Sequence, residues 1–145
     1  MRHLITAALL AGAAPLAAAQ SGDAAPASGG PLQAADIFSL EMARDPQISP
    51  DGRQVAYVRR SNDIMTDRTR QAIWAIDFDG SDHRPLASGS ASYSSPRWSP
   101  DSERLVMSVS ENGETRLDMV WPATGRSARL AELPFGAGDL SWSPD

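Results

Sequence analysis

An all-β fold assembled from a repeated four-stranded module is predicted by three observations. A Ser-Pro-Asp turn occurs at Ser49-Pro50-Asp51, Ser99-Pro100-Asp101 and Ser143-Pro144-Asp145, with the serines 50 and then 44 positions apart. Short runs of alternating or β-prone residues precede each turn and follow the first two, and Gly-containing hairpin signals come 31 and 26 residues after Ser49 and Ser99. Self-similarity at a period of roughly 20 to 50 residues marks a repeat architecture.

The elements follow in order. Before each Ser, positions one and three residues back are apolar or Pro: Pro46 and Ile48, Pro96 and Trp98, Leu140 and Trp142. That alternation predicts a short strand with one buried face. Pro at the second turn position presets a type I turn, and Gly52 or Ser102 completes it. A second strand is predicted over Gln54–Arg59 and Arg104–Val109, and a third over Ile73–Phe78 and Leu117–Trp121. The third strands end at Asp79-Gly80 and Thr124-Gly125, which read as hairpin turns. Weaker fourth runs lie at His83–Ala87 and Ser127–Leu133. Four strands in about 45 residues is the size of a propeller blade. The expectation over 35–145 is therefore a partial β-propeller: two four-stranded antiparallel blades and the first strand of a third.

The two periods differ between strands two and three. The first copy has the polar stretch Arg60–Arg70 where the second has only Glu111-Asn112-Gly113-Glu114. A long loop is predicted there, read either as a binding loop or as a solvated connection. Ahead of the blades, Gln33–Ala43 could form one or two helical turns, packing on the propeller rim or on a partner domain.

Residues 1–19 carry the pattern of a secretory signal peptide. Arg2 supplies the charge, Leu4–Ala18 the apolar stretch and Ala17-Ala18-Ala19 a small-residue cleavage site. The stretch is short and Ala-rich for a membrane span. A flexible linker is expected over 20–34, where Gln20–Pro31 is rich in Ala, Gly, Ser and Pro without periodicity. Export to the periplasm or the extracellular space follows, with no membrane association after cleavage. There is no Cys, so the fold must hold by packing without disulfides. Without residues 1–19 the chain keeps 12 Arg against 18 Asp and Glu, a formal charge of −6, which argues against nucleic acid as a partner.

No catalytic, cofactor-binding or metal-binding residue is assigned. His83 reads either as a general base or as an exposed turn residue beside Asp82, Arg84 and Pro85, and the second reading is the simpler. No Gly-x-Ser-x-Gly elbow occurs, since Gly125-Arg126-Ser127 is followed by Ala128-Arg129. Asp77-Phe78-Asp79-Gly80-Ser81-Asp82 has its Gly at the wrong position for a calcium loop. Trp98 and Trp142 share a repeat position, which marks them as inter-blade packing residues rather than a ligand cage.

With DIFSL at residues 36–40 and DPQISPDGRQVAYVRR at 45–60, the chain resembles the N-terminal region of secreted serine peptidases of the prolyl oligopeptidase family, in the acylaminoacyl-peptidase and dipeptidyl-peptidase-like branch. PRWSPDSERLVM and IWAIDFDG resemble the blade repeats that this family shares with TolB-like propellers. The resemblance covers residues 36–145. It implies a propeller of about seven blades that gates access of short peptides to a C-terminal α/β-hydrolase domain carrying Ser, His and Asp. None of those three positions lies in this chain, so no catalytic residue carries over and the polypeptide is expected to be a fragment. A TolB-like protein-binding module and a non-catalytic structural propeller are the alternatives. No cofactor is implied.

Overall fold

The computed structural model describes residues 33–134, 136 and 139–143. The predicted signal peptide, most of the predicted linker, and Pro144 and Asp145 of the third turn lie outside the described residues.

Eight strands form two four-stranded antiparallel sheets, each in sequential order. The first contains β1 (Glu41–Ile48), β2 (Gln54–Asp63), β3 (Arg68–Asp77) and β4 (Arg84–Ala87). The second contains β5 (Ser92–Trp98), β6 (Leu105–Glu111), β7 (Glu114–Trp121) and β8 (Arg126–Leu133). The predicted blades are present in the predicted order. Strand β5 packs over β1, β2 and β3 of the first sheet, which places the two blades face to face.

Repetition extends to irregularities. The β1–β2 ladder slips between Arg44 and Gln47, and the β5–β6 ladder slips between Ser94 and Arg97. Within those bulges Asp45 (φ 47°) and Ser95 (φ 53°) take the left-handed conformation just before Pro46 and Pro96. A bulge of this kind adds one residue and turns the strand more sharply.

The core lies between the blades. The first sheet contributes Ala56, Val58 and Ile73, and the second contributes Trp98, Leu105, Met107, Val109 and Val120, with Ala91 between them. Register explains the selection, because cross-strand partners share a face. Trp98 pairs with Leu105 and Leu105 with Val120, so these three stack toward the first blade.

Three expectations need correction. Alternation puts Pro46 and Ile48 on a buried face, yet both are exposed, Ile48 at 64%. Their counterparts Pro96 and Trp98 are buried because blade 1 lies against them, whereas no described element covers the corresponding face of blade 1. The predicted loop Arg60–Arg70 is mostly ladder, with β2 and β3 paired out to Asp63 and Arg68 and only Ile64–Asp67 turning. Polar cross-strand contacts replace apolar burial there: Arg70 donates to Asp63 at 2.7 Å, and Thr69 donates to Asn62 at 3.3 Å. Finally, the helical expectation for Gln33–Ala43 holds only for a 3-10 turn, Ala34–Phe38, and β1 begins at Glu41.

Candidate functional site

The Ser-Pro-Asp turns are closed by their own side chains. Ser49 Oγ donates to Asp51 at 2.6 Å and accepts the Gln54 N–H at 2.9 Å. Ser99 repeats this with Asp101 at 2.5 Å and the Arg104 N–H at 3.0 Å. Both serines are buried, so each hydroxyl finds its hydrogen-bond partners within its own turn. The serine hydroxyl and the Glu103 N–H hold the Asp101 carboxyl down at about 2, and the Ser49 hydroxyl lowers Asp51 in the same way. Gly52 (φ 72°) and Ser102 (φ 62°) sit at equivalent left-handed positions.

The two blades are joined by polar ties that recur in register. Trp98 Nε1 donates across the joint to the Gln47 carbonyl at 3.0 Å. Arg97 donates to Asp45 at 2.8 Å, and the Asp51 N–H donates to Ser102 Oγ at 3.0 Å. Trp142 Nε1 donates to the Arg97 carbonyl at 3.0 Å, one repeat further on. The guanidinium of Arg104 lies 5.4 Å from the Trp142 ring centre. Leu140–Trp142, expected as the opening strand of a third blade, makes no ladder among the described residues, but its indole is seated as that of Trp98 is. Trp98 and Trp142 are thus the inter-blade residues that their shared repeat position predicted.

Blade 1's uncovered face has a different chemistry from its counterpart on blade 2. Tyr57 and Arg59 stand where blade 2 has Met107 and Val109. Tyr57 Oη and His83 Nε2 share a hydrogen bond of 2.6 Å, and the His83 ring lies 4.8 Å from Trp74. Arg59 places its guanidinium 4.3 Å from the Trp74 ring centre and pairs with Glu41, its Nε donating at 3.0 Å. Burial pushes the Tyr57 hydroxyl up from its ordinary range. His83 is exposed, and its partners are a phenol and an indole rather than a nucleophile, so the arrangement supports ring packing and not proton transfer to a Ser. Sequence reasoning missed this cluster; the alternation that puts Tyr57 and Arg59 on one face was its only signal.

At the opposite rim from the Ser-Pro-Asp turns, the β2–β3 hairpin stands out. Its tip exposes Ile64 at 62% and Met65 at 89%. Among the described residues no group of three or more His, Asp or Glu side chains is arranged to hold a metal ion. No described helix is long and apolar enough to cross a membrane.

No protein-family model matches the chain. Among curated proteins, it is 30% identical over 115 residues, 79% of its length, to the uncharacterized peptidase YuxL of Bacillus subtilis. It is 27% identical over 98 residues, 68% of its length, to dipeptidyl-peptidase 5 of Porphyromonas endodontalis. It is also 31% identical over 77 residues, 53% of its length, to the Tol-Pal system protein TolB of Alcanivorax borkumensis. The chain spans only 18%, 14% and 17% of those relatives' lengths. Solved structures that share its fold include the β-propeller domain of the Trilobed protease from Pyrococcus furiosus and the acylaminoacyl peptidase of Pyrococcus horikoshii. The first superimposes with TM-score 0.55 at 18% identity, covering 66% of this chain and 28% of that one. The second gives 0.56 at 17% identity, covering 66% and 14%. The chain therefore matches the propeller portion of prolyl oligopeptidase family peptidases and shares its blade type with TolB.

Proposed function

We propose that this chain is the N-terminal propeller portion of an exported serine peptidase, standing over the active site of a following α/β-hydrolase domain and restricting entry to short peptides. The observation that carries this reading is the 30% identity with a peptidase across 79% of the chain. It is supported by blades locked to one another by repeated side-chain ties. In this role the ties Trp98 to Gln47 and Arg97 to Asp45 keep neighbouring blades from parting, so that a chain too bulky for the passage is excluded by size. Catalysis then belongs wholly to the second domain, where Ser attacks the scissile carbonyl, His carries the proton and Asp orients the His. Residues 1–19 direct export and 20–34 act as a linker, with the mature product periplasmic or extracellular.

A second reading, favoured by the 31% identity with TolB, is a propeller that binds a partner protein and has no hydrolytic domain. One experiment separates the two. The full-length gene product is purified, its N-terminus sequenced, and its reaction with a fluorophosphonate probe and with acylaminoacyl and dipeptidyl reporter substrates measured. The peptidase reading requires an N-terminus at or near Gln20, one labelled serine beyond residue 145, and reporter hydrolysis that the label abolishes. A product that ends after the last blade and takes no label would favour the binding module.

A further inference from the structure

The β2–β3 hairpin differs from its counterpart in length and in the chemistry of its tip. Its ladder has ten paired positions against seven in β6–β7. Counted from the equivalent pairs Val55–Ile76 and Leu105–Val120, it runs two positions further toward the tip, roughly 7 Å at about 3.4 Å per residue. The β6–β7 turn is the polar Asn112-Gly113 pair, in the left-handed conformation ordinary for a solvated hairpin. The β2–β3 turn instead lifts Ile64 and Met65 into solvent, on a hairpin whose Asn62 also holds the exposed Ile37 by its carbonyl. An apolar tip raised on a polar stalk is the inverse of a solvated loop.

The stalk holds this tip in place. Asp63 accepts the Met65 N–H at 2.9 Å and the Arg70 Nε–H at 2.7 Å. Asn62 donates to the Ile37 carbonyl at 3.0 Å, fixing the 3-10 turn against the hairpin.

Topology says what this rim faces. With four antiparallel strands in each sheet, the chain enters blade 1 at Glu41 and leaves it at Ala87 on the same rim as the hairpin tip. Blade 2 repeats this at Ser92 and Leu133. A groove lined by Thr66, Arg68, Thr69 and Arg70 of the hairpin and Ser90, Ala91 and Ser92 of the connector marks that shared rim. Any domain joined to a set of such blades therefore springs from the side where Ile64 and Met65 project. The turns Ser49–Gly52 and Ser99–Ser102 lie on the other side.

We propose that Ile64 and Met65 form a docking knob that seats in an apolar pocket of the hydrolase domain and fixes the propeller over it. This rests on the peptidase reading above. The test uses Met65 as its own reporter, because a solvent-exposed thioether is oxidised by hydrogen peroxide and a covered one is protected. The full-length protein is treated with peroxide, folded and unfolded in urea, and sulfoxide formation at Met65 and at the buried Met107 is followed by peptide mass spectrometry. The knob requires Met65 in the folded protein to oxidise at least tenfold more slowly than in urea, at every protein concentration and without substrate. Protection of Met107 with less than tenfold protection of Met65 would overturn it. Protection lost on dilution would assign the tip to a second copy, and protection appearing only with an added peptide would assign it to substrate; both outcomes overturn the docking. A gene product without hydrolase sequence ends the functional reading and the docking together, whereas an active peptidase with a freely oxidised Met65 ends the docking alone.

Discussion

Trp98 of the second blade reaches the Gln47 carbonyl of the first with its indole N–H at 3.0 Å, and does so from a side chain only 8% exposed. One residue therefore closes the apolar joint and satisfies a backbone acceptor at a strand that bulges beside it. Ile48, at the equivalent position of blade 1, has no N–H to offer.

Trp98→Phe keeps most of the buried ring and deletes the donor. The Gln47 carbonyl is then left without that partner in a half-buried setting, at a cost of about 1–3 kcal/mol. Hydrogen exchange of the β1 and β5 amides in the full-length protein should accelerate about 5- to 150-fold, while amides of β8 stay unchanged. Equal acceleration in all strands would mean that the joint is not local.

Leu105 is fully buried and belongs to the cluster shared by both blades. Leu105→Ala removes apolar volume and leaves a cavity, with a loss of about 2–5 kcal/mol. Ile48→Ala should cost far less in this chain on its own, because the Ile48 side chain is largely in water already. Urea midpoints of the two variants measure the contrast.

Asp101 gives the turns an acid-sensitive component. Its carboxyl is held at about 2 by the Ser99 hydroxyl and the Glu103 N–H, below its ordinary value near 3.8. A carboxyl depressed on folding stabilises the fold above its unfolded value, and that contribution is lost as the pH falls from about 4 toward 2. Asp101→Asn should therefore flatten the stability profile between pH 4 and 2 by up to one proton, with little change in its slope at pH 6 to 8. An unchanged acid limb would show that the carboxylate does not contribute.

The uncovered face of blade 1, with Ile48 exposed and Val55 and Ile76 half-buried, makes the 145-residue chain prone to association by itself. Ile48→Glu should raise its solubility in sedimentation or light-scattering measurements. A soluble, monomeric wild-type chain with a cooperative thermal transition would contradict this.

The turns, the order of the strands and the repeat were legible in the sequence because each depends on local chemistry. Pro presets a dihedral, Ser and Asp close a turn on themselves, and alternation declares a strand. The shared position of Trp98 and Trp142 likewise announced a shared contact. The hairpin at Arg60–Arg70 is not legible as strand because polar residues suggest a loop, while a ladder can run through them when cross-strand partners such as Asp63 and Arg70 satisfy one another.

What the sequence determined by itself is the blade: four strands, their turns and the residues that alternate between two faces. Only the tertiary structure decided which face is core. Ile48 and Trp98 occupy the same position in the pattern, yet one lies in water and the other is buried, because burial belongs to the neighbour and not to the strand. The clustering of Tyr57, Trp74 and His83 was settled in the same way, by registers that bring distant positions onto one surface.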